Sequence, residues 1–521
     1  MERERAPLVA DLSLGRAELR ETHVSWVLLF EDEVLKLKKP VRFAFLDFST
    51  LEARRVACES EVVLNRRLAG DVYLGVVPIT RDAAGRHRVG GEGPVVEWAV
   101  HMKRLDDSER ADVLLARGLF DVDHVRRLAE RLVRFHAEAE VVDEPHGPGS
   151  VSVLRAHAEE NLGALAARLV RVLGGAGAAE LAARHRAELE RIAPLLDRRR
   201  REGRVRDGHG DLRLDHVYFD SSRAVRVLDC VEFDRAFRVA DVAADVTFFA
   251  MSLRAAGEDG LAEAFLGRVA RDSADHALYA LDRFYETYWA LVRAKVVAAR
   301  AAQAEGEDAA SADAEADALV RLSARLAAPP TSTPVLVGIG GPIGVGKSAI
   351  GTRLSEALRA PMLESDRLRK QLAGVAPTVS LAAGAFAGAY SAGATERVYA
   401  ELLDRARIVL ESGRPVVVDA SFRERGRRDA FRRLADSLGV EHRFVACEAP
   451  RAVLESRVAA RDREAVVSDA RVELLETFLA HYEAPTDDET DVVRLDTSTG
   501  VDESFARLAP WVDALGRGSA K

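Results

Sequence analysis

Residues 341–348 have the types and spacing of a phosphate-binding loop. They read Gly-Pro-Ile-Gly-Val-Gly-Lys-Ser and match the pattern GxxxxGK[ST] at every fixed position. Glycines let the backbone turn its N–H groups toward phosphate oxygens, and the following helix start adds partial positive charge. Lys347 could reach the β- and γ-phosphates, and the Ser348 hydroxyl could bind Mg²⁺. The predicted nucleotide-binding residues are Gly341, Gly344, Val345, Gly346, Lys347 and Ser348.

The sequence around this loop supports the same chemistry. An apolar strand pattern, 335–339, precedes it and an amphipathic helix pattern, 349–358, follows it, which disfavours a chance glycine-rich turn. Asp419 ends a second apolar run, 415–418, where a carboxylate could orient Mg²⁺ or its water ligands. The alternative for Asp419 is a cap of the following turn. The expected cofactors are ATP (or GTP) and Mg²⁺.

A third cluster, Ser365-Asp366-x-x-Arg369, begins a predicted helix after a short strand. Asp366 could accept a proton from an acceptor hydroxyl, and Arg369 could hold the acceptor or its phosphate. The alternative is that Ser365 or Asp366 only caps the helix. Together with the phosphate loop and the segment 416–422, this cluster resembles the small P-loop kinases related to gluconate kinase, polynucleotide kinase and zeta toxins. The resemblance implies that Asp366 is the general base.

Arg457 and Arg461 lie four residues apart on a predicted helix that follows Pro450. The resemblance to small P-loop kinases implies that they are lid arginines, which close over the phosphates and offset charge in the transition state. The alternative in so arginine-rich a chain is a solvated, salt-bridged helix face. Asp366, Arg369, Arg457 and Arg461 are therefore the catalytic residues expected in this half, and Ser348 and Asp419 its metal-binding residues.

The second chemical motif is 209–217, His-Gly-Asp-Leu-Arg-Leu-Asp-His-Val, followed by Asp229 at the end of an apolar run. It resembles the aminoglycoside-phosphotransferase and choline-kinase branch of the protein-kinase-like fold. The resemblance implies that Asp211 accepts or orients the acceptor hydroxyl and that Asp229 coordinates Mg²⁺. His216 stands where that family has a metal-ligating asparagine, so His216 and Asp229 are the candidate metal-binding residues of this half, although imidazole is a poor Mg²⁺ ligand. Either His216 binds phosphate, or Mg²⁺ has fewer protein ligands, or this half is catalytically weak.

Lys36 and Lys38 lie two residues apart, on one face of a predicted strand. Either lysine could reach the α- and β-phosphates. The same resemblance makes Lys36 the better match for the family's strand lysine and Lys38 the second choice, with Glu61 as the ion-pair partner. Ordinary surface charges are the alternative for each of the three.

Strand patterns dominate the first hundred residues, and helical patterns dominate from about 110 to 200. From 335 onward strands and helices alternate, which predicts a parallel sheet wrapped by helices. The expected fold has an α+β protein-kinase-like domain of the aminoglycoside-phosphotransferase type over 1–300 and an α/β P-loop kinase domain over 335–521. An alanine-rich acidic helix and a proline-rich linker, 301–334, join them. The order resembles a bacterial fusion of these two kinase types.

Composition excludes several classes of protein. The chain has 521 residues, too many for one core, and 84 acidic against 75 basic residues give a net charge of -9. This charge argues against a nucleic-acid coat protein or a membrane-surface protein. Three dispersed cysteines disfavour a disulfide scaffold and a cysteine-rich zinc site. The sequence shows neither an apolar run of about 18–20 residues nor a signal-like start, so a cytoplasmic protein without a membrane partner is expected.

The expected function is that of an ATP-dependent phosphotransferase with two nucleotide sites, each transferring a γ-phosphoryl group to a small-molecule hydroxyl. The chief alternative is a regulatory or stress-related ATP-binding protein in which one half, by His216 the N-terminal one, is inactive or senses nucleotide. Another is a P-loop kinase acting on a nucleotide or a nucleic-acid 5′-hydroxyl, the one role in which nucleic acid is expected. Acceptor pockets are built from loops without a portable motif, so the sequence names neither the acceptor nor an oligomeric state.

Overall fold

The computed structural model describes residues 2–22, 24–43, 46–330, 334–375, 379, 381, 388–461 and 472–518. The chain forms two compact units, and neither is continuous in sequence. The first comprises Met1–Ala262 and Phe284–Arg325, and the second comprises Glu263–Arg283 and Leu326–Lys521. Residues 263–283 therefore belong to the unit that carries the phosphate loop, although the limits expected from sequence place them within 1–300.

The first unit opens with a helix and a strand-rich region. Its elements are α1 (Glu2–Ser13), β1 (Glu18–Glu21), β2 (Ser25–Leu29), β3 (Glu33–Lys38), β4 (Arg42–Phe43), β5 (Leu46–Asp47), α2 (Leu51–Ala69), β6 (Tyr73–Arg81), β7 (His87–Val89) and β8 (Val95–Lys103). Six strands form an antiparallel sheet in the order β1-β2-β3-β8-β6-β7. Cys58 and Val62 of α2 pack against Val34 and Val100 of this sheet. This packing brings α2 next to β3, the strand of the two candidate lysines.

Helices and short strands follow in the chain. They are α3 (Ala111–Ala116), α4 (Val122–Glu138), α5 (Val151–Arg201), β9 (Val205–Asp207), β10 (Val217–Phe219), β11 (Val225–Val227), β12 (Val239–Asp241), α6 (Val242–Ala255), α7 (Asp259–Ser273), α8 (Asp282–Ala301) and α9 (Gly306–Ala327). β10 pairs with β11 and β12 pairs with β9, both antiparallel. The motif at 209–217 lies between β9 and β10, and Asp229 follows β11. The antiparallel sheet is observed, while the protein-kinase-like fold of this half stays a prediction.

Among the residues placed by the structure, α5 is long and apolar enough to cross a membrane by length and composition, with a mean hydropathy of 1.3 over its best window. The sequence expectation missed it because abundant alanine and glycine raise the mean although arginines interrupt the run. One such helix is weak support for a membrane span. The helical conformation is broken at Gly174, where φ is 74°. Arg168 and Arg171 form ion pairs with Asp313 and Asp317 of α9.

The second unit is built on a five-stranded sheet. Its remaining elements are β13 (Val335–Gly340), α10 (Lys347–Leu358), β14 (Met362–Glu364), α11 (Ser365–Leu372), α12 (Ala392–Glu411), β15 (Val416–Asp419), α13 (Arg425–Leu438), β16 (Glu441–Glu448), α14 (Arg451–Arg461), α15 (Val472–Ala480), β17 (Val492–Asp496), α16 (Val501–Ala506) and α17 (Ala509–Gly518). The strand order is β14-β15-β13-β16-β17, and every pairing is parallel. The predicted parallel sheet of the C-terminal half is confirmed.

The core of the second unit lies between this sheet and its helices. Val337 and Ile339 of β13 are fully buried and pack with Ile350 and Leu354 of α10. An all-apolar central strand followed by an amphipathic helix buries both faces of the strand, which is the pattern of a parallel sheet covered by helices. The phosphate loop is thereby fixed between two rigid elements.

Candidate functional site

The phosphate loop lies at the carboxyl end of the central strand β13. Because β13 is flanked by β15 and β16 and the connections run to opposite sides of it, a crevice opens at this edge of the sheet. Gly346 has a left-handed φ of 96°, which a side chain would strain. A Cβ at Gly341 would lie 2.5 Å from the carbonyl oxygen of Cys447. The loop therefore requires glycine at both positions, and α10 begins directly after it with Lys347.

Lys347 and Ser348 project from the first turn of α10. The Lys347 ammonium donates hydrogen bonds to the carbonyl oxygens of Gly341 and Pro342, at 3.0 and 2.9 Å. The Ser348 hydroxyl donates to the carboxylate of Asp419, the last residue of β15. The loop thus brings a cation, a hydroxyl and a carboxylate to one edge of the sheet, as the sequence pattern predicts.

Asp419 has an unusual electrostatic environment. The residue is 5% exposed. Its burial raises the pKa to about 6, against the opposing effects of the Lys347 charge and the Ser348 hydrogen bond. Glu364 and Asp366 raise the pKa further through their negative charges. Since Glu364 is also the register partner of Asp419 across β14 and β15, three carboxylates cluster beside the phosphate loop.

Asp366 is the second residue of α11 and is half-buried. Arg369, one turn later, is buried at 7% exposure. Its guanidinium donates to the Ala389 carbonyl at 2.5 Å and to the Thr395 hydroxyl at 3.2 Å, and lies 4.5 Å from the ring centroid of Tyr390. The structure therefore brings Asp366 to the edge that carries Asp419, and it places Arg369 against the start of α12.

Arg457 lies on α14 and contacts the backbone of the phosphate loop. Its guanidinium donates to the carbonyl oxygen of Val345 at 3.2 Å and to that of Thr497 at 2.5 Å. The Thr497 hydroxyl donates to the same Val345 carbonyl at 2.5 Å. Arg457 thus braces the loop. Arg461 is the last residue of α14, and its side chain lies outside the described residues.

In the first unit, five charged side chains form a cluster in which Lys38 and Glu61 are buried and the Asp229 side chain is 43% exposed. The Lys36 ammonium lies 2.8 Å from Glu61 Oε1 and 2.7 Å from Asp229 Oδ1. The Lys38 ammonium lies 2.5 Å from Glu61 Oε2 and also pairs with Glu232. Glu61 therefore bridges both lysines, one on each oxygen, and each lysine also binds one carboxylate of the segment after β11.

All members of this cluster whose pKa is shifted are held in their charged forms. Burial alone raises the pKa of Glu61, but the two ammonium groups hold it below its ordinary value. Burial likewise opposes ionisation of Asp229, but Lys36 holds its pKa well below the usual range. The pKa of Lys36 is raised well above normal, because Asp229 and Glu61 outweigh the effect of burial. Asp229 also has a left-handed φ of 60°, a strained conformation for a residue with a side chain.

Asp245 of α6 fixes the backbone of the loop that carries Asp211. The Asp245 carboxylate accepts hydrogen bonds from the backbone N–H groups of His209 and Gly210, both at 2.8 Å, and it contacts His136 Nε2 at 3.0 Å. His209 is completely buried, which lowers its pKa to about 4. Its neutral Nε2–H donates to the Leu228 carbonyl at 3.0 Å. The loop is therefore tied to the strand end that precedes Asp229.

His216 is engaged on both ring nitrogens. Nδ1 lies 2.9 Å from the Asp211 carbonyl oxygen, which can only accept, so Nδ1 carries the proton. Nε2 is hydrogen-bonded to Arg213, which can only donate, so Nε2 accepts. Its distance to Asp229 Oδ2 is 3.9 Å. This arrangement leaves no ring lone pair for a metal and favours the alternative in which Mg²⁺ has fewer protein ligands.

Some contributors to these sites lie outside the sequence-based set, among them Glu364, Asp245 and the three that follow. Arg213 Nε lies 3.2 Å from Asp211 Oδ1, Glu232 binds the second lysine, and the Tyr73 hydroxyl accepts from the Asp229 N–H at 3.3 Å. Among these three, a signal existed only for Arg213, which lies within the 209–217 motif. Glu232 and Tyr73 are far in sequence from the groups they contact.

Three comparisons with known proteins bear on this chain. Residues 336–485 match the family model AAA_33, described as an AAA domain. The chain is 32% identical over 458 residues to Uncharacterized protein Rv2004c of Mycobacterium tuberculosis, covering 85% of this chain and 86% of that protein. The same values hold for Uncharacterized protein Mb2027c of Mycobacterium bovis.

Solved structures of kinases are also similar to part of the chain. A gluconokinase from Sinorhizobium meliloti is 24% identical, covers 36% of this chain and 95% of its own, and has a TM-score of 0.27. The APS kinase CysC of Mycobacterium tuberculosis, in complex with AMPPNP and APS, is 20% identical, covers 36% and 99%, and has a TM-score of 0.27. Scores this low do not by themselves establish a shared fold. The family model and the relatives show that this chain belongs to the same family as the mycobacterial proteins Rv2004c and Mb2027c, with an AAA domain at residues 336–485.

Proposed function

We propose that the chain is an ATP-dependent phosphotransferase that transfers the γ-phosphoryl group to a hydroxyl of a small molecule at the P-loop site. The observation that carries this proposal is the convergence of Lys347, Ser348, Asp419 and Asp366 at the carboxyl edge of one parallel sheet. A loop that only bound nucleotide would not need a further carboxylate beside the phosphate position. The match to an AAA domain supports the nucleotide-binding part.

The residues present fit a nucleotide with Mg²⁺. Gly344 and Gly346 have left-handed φ values of 80° and 96°, the backbone conformation that lets a glycine-rich loop turn around a phosphate. Ser348 and Asp419 supply the oxygen donors that Mg²⁺ prefers. Among the described residues no group of three or more His, Cys, Asp or Glu is arranged to hold a metal, so phosphate oxygens and water would complete its shell. When bound, Mg²⁺ neutralises charge on the phosphate oxygens.

The roles of this chain's own groups follow from their positions. Lys347 binds phosphate oxygens and offsets their charge, and Asp419 holds the Ser348 hydroxyl in place. Asp366, at the start of α11, accepts the proton of the acceptor hydroxyl as that oxygen bonds to the γ-phosphorus, while the bond between the γ-phosphorus and the β–γ bridging oxygen breaks and ADP leaves. Arg457 keeps the loop backbone rigid from behind through the Val345 carbonyl. Arg369 orders the start of α12 beside the acceptor position.

A second nucleotide site in the first unit is part of the proposal. Lys36 would bind α- and β-phosphates, Asp229 would hold the metal and Asp211 would accept the acceptor proton. The Lys36–Asp229 ion pair at 2.7 Å and the doubly engaged His216 favour a second candidate for this half: it binds nucleotide without transferring phosphoryl groups. In that case the first unit senses nucleotide and the P-loop unit performs the reaction.

The experiment is an ADP-release assay with a panel of sugars, sugar acids, aminoglycosides, nucleosides and 5′-hydroxyl oligonucleotides. Lys347→Ala and Asp366→Asn are expected to abolish the release that an acceptor of the P-loop site stimulates. Lys295→Ala, which removes a surface lysine paired with Glu160, serves as the matched control and should retain it. If no acceptor stimulates ADP release above bare hydrolysis, the transferase proposal fails.

The same assay separates the two candidates for the first unit. If Asp211→Asn abolishes the transfer to one acceptor and Asp366→Asn abolishes the transfer to another, both sites transfer phosphoryl groups. If Asp211→Asn leaves every transfer intact while Lys36→Ala weakens ATP binding, the first unit senses nucleotide.

A further inference from the structure

A segment that the sequence places before the predicted linker completes the P-loop unit. Arg271 of α7 forms a two-pronged ion pair with Glu364, with Nε–Oε2 and Nη2–Oε1 distances of 2.7 and 2.9 Å. The Glu364 side chain is only 8% exposed. Arg367 also approaches Glu364 at 3.2 Å, and it lies 3.6 Å from Asp272, the residue after Arg271. Arg271 and Arg367 therefore hold a buried carboxylate from two sides.

Glu364 connects this ion pair directly to the candidate catalytic edge. It is the last residue of β14, it pairs in register with Asp419, and it is followed by Ser365 and Asp366. A displacement of Glu364 would therefore displace the helix start that carries Asp366. Planar two-pronged pairing by arginine fixes the direction of a carboxylate as well as its distance.

The segment 263–283 is anchored at further points within the same unit. The Arg414 guanidinium, just before β15, donates to both oxygens of Glu263 at 2.6 and 2.9 Å and lies 2.7 Å from Asp282. It also lies 5.0 Å from the Tyr279 ring centroid. Arg405 of α12 donates to the Ala274 carbonyl at 2.9 Å. The segment is thus held at both of its ends and near its middle.

A small cavity lies where this segment meets β14 and α11. It is lined by Arg271, His276, Glu364, Arg367, Gln371 and Arg405, together with apolar side chains. Arg271 and Arg367 contact Glu364 there, and Arg405 donates to Gln371 at 2.9 Å, so these groups fix the strand end.

We propose that Arg271 is a positioning residue for Asp366, acting through Glu364, and that the segment 263–283 is thereby required for phosphoryl transfer at the P-loop site. This inference rests on the proposed function of that site. The segment continues α7 from residues of the first unit, so a change of state in the N-terminal half has a covalent route to the catalytic edge. The match to an AAA domain begins at 336 and therefore does not contain a complete catalytic unit.

The closing experiment compares Arg271→Gln, Arg271→Lys and Arg268→Gln in the full-length chain. Arg268 lies one turn earlier on α7 and pairs with Asp272 at 2.6 Å, so its substitution is the matched control. All variants carry Asp211→Asn so that ADP from the N-terminal half is not counted. The rate of ADP release is measured with the best acceptor, or with water in basal hydrolysis, over a range of ATP concentrations.

Arg271→Gln is expected to lower kcat about tenfold or more, because a misplaced catalytic group loses rate steeply with displacement. The KM for ATP should stay within about twofold, since the phosphate loop is unchanged. Arg271→Lys should recover part of kcat, and Arg268→Gln should match the parent. If Arg271 only stabilised the fold, Arg271→Gln would change KM, kcat and the hydrogen exchange of β13 together. The three variants would then not rank in the order given above.

Unchanged kcat in Arg271→Gln overturns the inference, as does a parallel loss of kcat and ATP binding. If Arg271→Gln does not fold, Arg271→Lys decides by the same criteria: reduced kcat at constant KM supports the inference, and unchanged kcat overturns it. Failure of the proposed function looks different, because Lys347→Ala would then leave ADP release unaltered in the parent chain.

Discussion

The charged carboxylate of Asp419 is expected to destabilise the folded protein, although the proposed site requires it. Asp419→Asn tests this expectation. Burial raises the Asp419 pKa from 3.8 to about 6 in the folded chain. An acid with a raised folded pKa binds its proton more tightly in the folded than in the unfolded state. Its contribution to stability is therefore most favourable below pH 4, is lost between about pH 4 and 6, and stays lost above pH 6.

The size of the effect follows from the shift. A rise of about two pKa units corresponds to about 3 kcal/mol of destabilisation at pH 8 relative to a neutral group. The residue is 5% exposed, so screening by water reduces this value little. Asparagine has nearly the same shape, carries no charge and keeps an oxygen that can accept from Ser348. Asp419→Asn is therefore expected to stabilise the P-loop unit by up to about 3 kcal/mol at pH 8 and by almost nothing at pH 4, and to abolish ADP release.

The assay is amide hydrogen exchange on peptides that cover β13 and β15, without nucleotide and with a chelator present. This reports the stability of the P-loop unit even if the two units unfold separately. Asp436→Asn, at an exposed position of α13, is the control and should not change protection. If Asp419→Asn lowers protection at pH 8, or raises it equally at pH 4 and pH 8, the reasoning from charge burial is wrong.

Two further predictions concern buried ion pairs. Arg428→Gln should destabilise the P-loop unit by about 1.5–3 kcal/mol, because the buried Glu489 loses two contacts of 2.8 Å and keeps only Arg432, at 2.7 Å, as an arginine partner. The exposed Arg425→Gln is the control, and equal protection of both variants in hydrogen exchange would contradict this. Glu61→Gln should raise the Kd for ATP in the first unit about tenfold, or ~1.4 kcal/mol, because Lys36 loses a carboxylate that fixes its position. Calorimetric titration of a chain in which Lys347 of the P-loop is replaced measures this Kd. An unchanged Kd would refute the role of the Lys36–Glu61 pair.

The C-terminal half could be predicted closely from sequence, because its signals are local. The pattern predicts a strand over 335–339 and a helix over 349–358, and the structure has Val335–Gly340 and Lys347–Leu358. A buried parallel strand, a glycine-rich turn and an amphipathic helix each follow from adjacent residues. The positions of Asp366 and Asp419 at one sheet edge then follow from the topology of parallel strands.

Long-range pairing could not be predicted in the same way. Lys36 and Asp229 are 193 residues apart in sequence, and only the family resemblance brought them together. The arginines at 198–201 favour a solvated helix end by pattern, yet Arg199 is 2% exposed and binds both oxygens of Asp241 at 2.7 and 2.8 Å. Whether an arginine lies at the surface or pairs inside depends on a partner that periodicity does not reveal.

The two candidate sites have opposite electrostatic arrangements. At each site the local charges matter more than the net charge of -9. In the first unit Lys36 is in direct contact with Asp229, and the Asp229 pKa lies far below its usual range. A metal that bound there would therefore compete with Lys36 for the Asp229 carboxylate. In the P-loop unit Lys347 donates to two carbonyl oxygens, and the Asp419 pKa is raised to about 6, so a metal competes with a proton. In both sites the outcome depends on charged groups within a few ångströms. At that distance and in a low local dielectric, their interactions are stronger than those of the screened charge of the whole chain. The polyphosphate binding proposed for the two sites is therefore compatible with an acidic net charge.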